Sequence, residues 1–150
     1  MLSLQEISDR IELNDLIVRY SYAIDNRDFD ALDDIFTEDA IIDYTAMGGA
    51  RGTVPETKAY LTAALARFTG FQHLVATTIV KIEGDTATAR TICHNPMMMM
   101  HKGAEHIFFC GLWYNDEFRR TDKGWRISHR NEDKSFFYNL PTDFAPIAVE

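Results

Sequence analysis

At Gly70 the apolar pattern of the chain changes period. Before it, hydrophobic residues recur at spacings of three and four; after it, "QHLVATTIVKIEGDTATARTIC" alternates residue by residue. A period near 3.6 puts the apolar side chains on one stripe of a helix, and a period of 2 puts them on one face of a strand. Helices gathered first and antiparallel strands later must share a core, which they do when helices pack on one face of a sheet. The expected class is therefore α+β, with a curved sheet. A chain of 150 residues can build one such core as a single domain spanning 1–150, without disulfides or metal.

The elements follow from local signals. Ser3 followed by Glu6 is a capping-box pair, and Ile7, Ile11, Leu13, Ile17, Tyr20 and Ile24 then keep helical spacing, giving a first helix over roughly residues 4 to 25. "DFDALDDIFTED" reads as a short second helix capped by Asp28, "AIIDYTA" as a strand, and "TVPETKAYLTAALARF" as a third helix entered through Thr53 and Pro55. "EGDT" and "TDKG" join strand pairs as hairpins. The tail "NLPTDFAPIAVE", residues 139–150, has no periodicity and is expected to be irregular.

The net charge of −8 argues against nucleic acid, since the one basic cluster, "FRRTDKGWRISHR", reads as solvated strand faces. No apolar run approaches the length of a membrane span, and "MLSLQEISDR" lacks the features of a secretion signal, so the expectation is a cytoplasmic protein with no membrane partner. In that compartment Cys93 and Cys110 are expected to be small buried residues. There is no phosphate loop, nucleotide fingerprint, nucleophile elbow or zinc-spaced Cys/His set. Neither a cofactor nor a metal is expected.

What remains is a set of titratable side chains in apolar segments: Tyr20 and Asp25 on the first helix, Tyr44 on the first strand, His73 at the start of the second and His94 on the third. On a helical wheel Ile17 and Ile24 form a seam, with Tyr20 to one side and Asp25 to the other. His73 alternates with Val75, Thr77 and Ile79 and is expected to share their face. If that face lines the concave side of the sheet, Asp25 meets His73, and a carboxylate beside an imidazole fixes which ring nitrogen carries the proton. The other reading is a solvated helix end and a half-buried structural histidine. The run Met97 to Met100 has two readings as well, core filling with a subunit contact or an adaptable apolar wall for a substrate, and Pro96 beside it suggests an edge or a bulge.

"RYSYAIDNRDFDAL", "FTEDAIIDY", "QHLVATTIV", "GDTATAR" and "YNDEFRRTDKGWRISHR", in that order over about residues 5 to 133, resemble the SnoaL-like branch of the nuclear transport factor 2-like superfamily. The resemblance implies a cone-shaped α+β barrel of the cystatin-like type, with N-terminal helices on a strongly curved, mixed, mostly antiparallel sheet around one deep pocket. Within the branch the closest motif match is to scytalone dehydratase and bile-acid 7α-dehydratase. That match implies catalytic roles for Tyr20, Asp25, Tyr44 and His73, and the 48-residue separation of Asp25 from His73 is typical of the branch. Thr77 stands where an Asn is frequent and Leu112 where a Gly is frequent. The further polar group on the third or fourth strand has His94 as its nearest candidate, and Met97, Met99 and Phe109 join His94 as candidate substrate contacts.

The expected function is a cofactor-independent dehydratase acting on a hydrophobic cyclic hydroxy-carbonyl compound through Asp/His proton transfer. A ketosteroid-isomerase-like isomerase or a polyketide cyclase would use the same pocket. A non-catalytic small-molecule-binding or assembly domain is the alternative of another class. A homo-oligomer, dimer or trimer, is expected because "CGLWYNDEF" and the methionine run carry more apolar area than one sheet face buries.

Overall fold

The computed structural model describes residues 1–145. Helix α1 (Leu4–Asp25) starts at Ser3, whose hydroxyl accepts from the Glu6 N–H. The Glu6 carboxylate turns to Arg10, so only half of the expected box forms. A 3₁₀ turn over Phe29–Asp34 replaces the expected second α-helix, and Asp28 makes no side-chain cap. Strand β1 (Phe36–Asp43) begins earlier than "AIIDYTA" suggested, and Tyr44 lies just beyond its end. After β2 (Arg51–Thr53), helix α2 (Val54–Leu65) is entered with Pro55 in its first turn and the Glu56 carboxylate accepting from the Thr53 N–H and hydroxyl.

Strands β3 (Gly70–Phe71), β4 (Leu74–Glu83), β5 (Thr86–His101), β6 (Ala104–Thr121) and β7 (Gly124–Tyr138) follow. The sheet runs β2-β1-β7-β6-β5, with β3 and β4 pairing different lengths of β5. Only β1 against β7 is parallel. This is a strongly curled mixed sheet forming a half-barrel, with the helices at its concave side. Both expected hairpins form, with Gly84 and Gly124 at positive φ of 64° and 92°. A third, at Lys102 and Gly103, lets the methionine run continue β5 straight into the bend before β6.

The core comes from α1 (Leu13, Leu16, Ile17, Tyr20, Ile24), α2 (Leu61, Leu65) and the inward positions of β5, β6 and β7. Ile7 and Ile11 point outward instead, while Asp9 is drawn inside. Its carboxylate accepts from Arg120 Nη1 and Nη2, both at 2.8 Å, and from the Trp125 indole N–H at 3.0 Å, and the Arg120 bonds hold its pKa well below the usual carboxylate range. Arg130, from the cluster expected to be solvated, is fully buried. It forms a two-pronged pair with Asp116 at 2.6 and 2.7 Å, between the rings of Tyr20 and Tyr114. Cys93 and Cys110 are buried free thiols, both pushed up to about 12 by burial. No described helix is long and apolar enough to cross a membrane.

Two irregularities position the site. Thr77 sits at φ 53°, and the β4–β5 register shifts between Ala76 and Thr78. Beyond this bulge the inward residues are Thr78, Val80 and Ile82, and Ile79 is 73% exposed, so the expected common face of His73, Val75, Thr77 and Ile79 breaks at Thr77. The second is a gap beside Pro96. β4 pairs β5 as far as His94 and β3 resumes at Met97, so Pro96 has a ladder partner only on β6, at Phe109, and on its other side its carbonyl accepts from the Gln72 N–H at 3.3 Å. A residue with no N–H is tolerated there, and the chain opposite, Gln72 and His73, leaves the sheet.

Candidate active site

Freed from the ladder, His73 turns its backbone N–H to the Asp25 carboxylate, at 3.1 Å from Oδ1 and 3.0 Å from Oδ2. Its ring follows: Nδ1 lies 2.7 Å from Asp25 Oδ1. Asp25 is the last residue of α1, so its side chain is not consumed by the helix, and the polar cluster after it is a helix end turned toward the sheet. The carboxylate therefore holds both the backbone and the ring of His73. An Nδ1–H donating to Asp25 leaves Nε2 as the working nitrogen of a neutral ring.

Nε2 lies 3.0 Å from the side-chain amide of Asn95, an inward residue of β5. With Nδ2 toward His73 the amide donates to a bare Nε2 but leaves Oδ1 against the carbonyls of Pro96 and Gln72; turned over, Oδ1 accepts from Nε2–H while Nδ2 donates to Pro96 at 3.2 Å and Gln72 at 3.1 Å, which satisfies both amide atoms. Sequence reading chose His94 for this place. Alternation on β5 sends His94 to the convex side, where it stacks on Phe109 with ring centres 5.6 Å apart. The signal was present in the parity of the strand: Cys93, Asn95 and Met97 share one face, His94 the other.

His73 and Asn95 open onto a cavity of about 150 Å³, whose wall is otherwise mainly aromatic and aliphatic. Tyr20 and Tyr44 both line it, their hydroxyls 2.5 Å apart. Burial pushes the Tyr20 phenol up to about 12 and the Tyr44 phenol well above its ordinary value, so both remain O–H donors. Asp25 sits behind His73 and is not itself part of the wall. Of the expected substrate contacts, Met97 lines the cavity; Met99 packs against the core without reaching it, and Phe109 faces outward while its neighbour Phe108 faces in. The residues missed are Asn95, Phe108 and Glu132. Leu140 and Phe144 of the tail also line the cavity, Phe144 packing on Phe68 and Phe108 under the Arg67 guanidinium. Residues 146–150 of the tail expected to be irregular lie outside the described residues.

Among the described residues no group of three or more His, Cys, Asp or Glu could hold a metal. The family model described as a SnoaL-like domain matches residues 5–131. The Mycobacterium tuberculosis protein Rv2910c is 49% identical over 136 residues, covering 91% of this chain and 92% of its own. Among solved structures, the hexachlorocyclohexane dehydrochlorinase LinA-type3 of Novosphingobium barchaimii superposes with TM-score 0.79 at 17% identity, over 97% of this chain and 99% of that one. A Novosphingobium aromaticivorans protein assigned provisionally as scytalone dehydratase gives TM-score 0.77 at 17% identity, over 96% of each. At those identities the likeness is one of fold, a cystatin-like fold also seen in a nuclear transport factor 2-like protein of the latter organism.

Proposed function

The chain belongs to the family of SnoaL-like domains, and from that membership we propose that it is a cofactor-independent lyase removing water from a hydrophobic cyclic β-hydroxy ketone. The observation that carries the reading is the Asp25–His73 pair with its imidazole in the wall of an apolar cavity and Nε2 beside the Asn95 amide. His73 Nε2 takes the proton α to the carbonyl, and the electrons of that C–H bond form an enolate. The enolate then expels the β-hydroxyl group, which leaves as water with the proton returned by His73, and a conjugated ketone remains. Asp25 orients the ring and stabilises its positive charge between the two steps. Asn95 rotates to follow the proton on Nε2. Tyr20 and Tyr44 supply O–H donors where the enolate oxygen gathers charge, which matters most in a site poor in water.

Two of the fold relatives above bear names for eliminations, of hydrogen chloride in one and of water in the other, which favours a lyase over other chemistry in this cavity. An isomerase or cyclase begins with the same proton abstraction and differs in where the proton or the new bond goes. A binding domain has no such step. The experiment that separates these classes follows hydroxylated ring ketones in D₂O by proton NMR and absorbance. A lyase gives deuterium exchange α to the carbonyl and a new conjugated band, an isomerase or cyclase gives exchange without loss of water, and a binder gives neither. His73→Ala is expected to lower the rate by ~10²- to 10⁴-fold. Full activity in that variant would move the chemistry elsewhere.

A further inference from the structure

Glu132 is the one carboxyl group in the cavity wall, and among the described residues it makes no hydrogen bond or ion pair. Its β7 position pairs with Tyr114 of β6, which pairs with Thr91 of β5, so Glu132 lies two strand spacings, about 10 Å, from Thr91, and Asn95 stands four residues further along β5. Asp43↔Asn131 is the last pair of β1 with β7, so Glu132 follows β1 toward Tyr44. Arg130, two residues earlier on the same face, is paired with Asp116 through Nε and Nη2, makes no hydrogen bond to Glu132, and keeps Nη1 without a partner. The groups that face Glu132 from the surrounding elements are mostly phenols and thiols: Tyr20 of α1, Tyr44, Tyr60 of α2, Cys93 of β5, and Cys110 and Tyr114 of β6. Asp43 of β1 adds negative charge, and the cations of the wall, His73 when protonated and Arg67, are engaged with Asp25 and with Phe144 and the Ala145 carbonyl.

We propose that Glu132 is a second polar anchor of the cavity: a neutral carboxyl group whose O–H donates to the carbonyl oxygen of an uncharged ring ketone lying between it and His73. The geometry is that of a half-buried carboxyl group lining the cavity with no partner among the described residues, so its hydrogen-bonding capacity is left for a ligand oxygen. Loss of water on burial, only partly offset by Arg130, pushes the Glu132 carboxyl up to about 8, so it carries a proton at neutral pH. The carbonyl held there lies beside the Tyr20–Tyr44 pair, with the α carbon toward His73 Nε2. The volume of about 150 Å³ admits a ligand of about one ring rather than a large polycycle. This deepens the proposed reaction and rests on it only for the identity of the oxygen.

Acetophenone is a suitable probe because it has one ring, one carbonyl and no β-hydroxyl to lose. Its affinity for the wild-type protein, measured by titration calorimetry, is expected to be about tenfold weaker at pH 9 than at pH 7, following the Glu132 proton. Glu132→Gln keeps an N–H donor and should bind with no pH dependence; Glu132→Leu should bind about tenfold more weakly at pH 7. Carbon-13 NMR of the glutamate carboxyls, with the Glu132 signal assigned from its absence in the Gln variant, should show titration above pH 7. Acetophenone binding by the wild-type protein involves no turnover, so failure of the lyase reading, seen as no loss of water from hydroxylated ring ketones, and failure of the anchor, seen as loss of the pH dependence of binding, give different results. Absent or pH-independent acetophenone binding, a Glu132 signal titrating in the ordinary carboxylate range, or phenyltrimethylammonium binding that tightens as pH rises would each overturn the proposal.

Discussion

At the scale of single residues, the pair Asp25 and His73 is held by three contacts and the pair Arg130 and Asp116 by two, and they answer to different tests. Asp25→Asn keeps a group that accepts from the His73 N–H but loses the charge that supports a protonated ring. Turnover should fall by ~10²-fold or more, with the circular dichroism spectrum and melting temperature close to wild type. Asp116→Ala leaves Arg130 charged and alone in the core, and a urea titration should show a loss of about 3–5 kcal/mol. Local pattern placed Asp25 at a helix end and His73 at a strand start but left their meeting one of two readings, which the family resemblance decided. Asn95 was missed, because titratable residues drew attention to His94 although strand parity favoured its neighbour. Glu132 was hidden in a polar string, "HRNEDK", where nothing local distinguishes a carboxyl facing a cavity from carboxyls facing water.

Elements were read well in type and less well in phase. The period change at Gly70 gave α+β correctly, since both periodicities persist over many residues and average out local exceptions. The bulge at Thr77 has no such signal: one residue in a left-handed conformation reverses the parity of everything after it on β4. A β-branched residue there is strained, and Thr77→Gly should stabilise the fold by about 0.5–1 kcal/mol in equilibrium unfolding, the release of strain exceeding the entropy cost of glycine. The bulge also lets His73 enter the site while Thr78, Val80 and Ile82 still pack inward. Deleting Thr77 should therefore remove the Asp25–His73 contact, visible as loss of the shifted imidazole resonances in NMR, even where the sheet survives.

For the molecule as a whole, the raised Glu132 carboxyl has a consequence for stability. The unfolded chain releases this proton near pH 4.5 while the folded protein keeps it to about pH 8. Its contribution is thus complete below pH 4.5 and is lost as pH rises toward 8, with a slope approaching ~1.4 kcal/mol per pH unit. Subtracting the curve of Glu132→Gln from that of the wild type should isolate this slope, and parallel curves would refute it. The convex face of the sheet leaves Ile92, Ile107, Phe136 and Tyr138 at 41%, 41%, 45% and 66% exposure, and the described part of the tail turns to the cavity instead of covering them. We propose that a second copy of the chain does so; light scattering at micromolar concentration should give a mass above 17.2 kDa, and a monomer would refute the proposal. The cavity wall extends past the end of the family match along the chain. Asp25, His73 and Asn95 fall within the SnoaL-like match of residues 5–131, whereas Glu132, Phe137, Leu140 and Phe144 come after it. Substitutions at Phe137, Leu140 or Phe144 therefore reshape one side of the cavity without touching Asp25, His73 or Asn95.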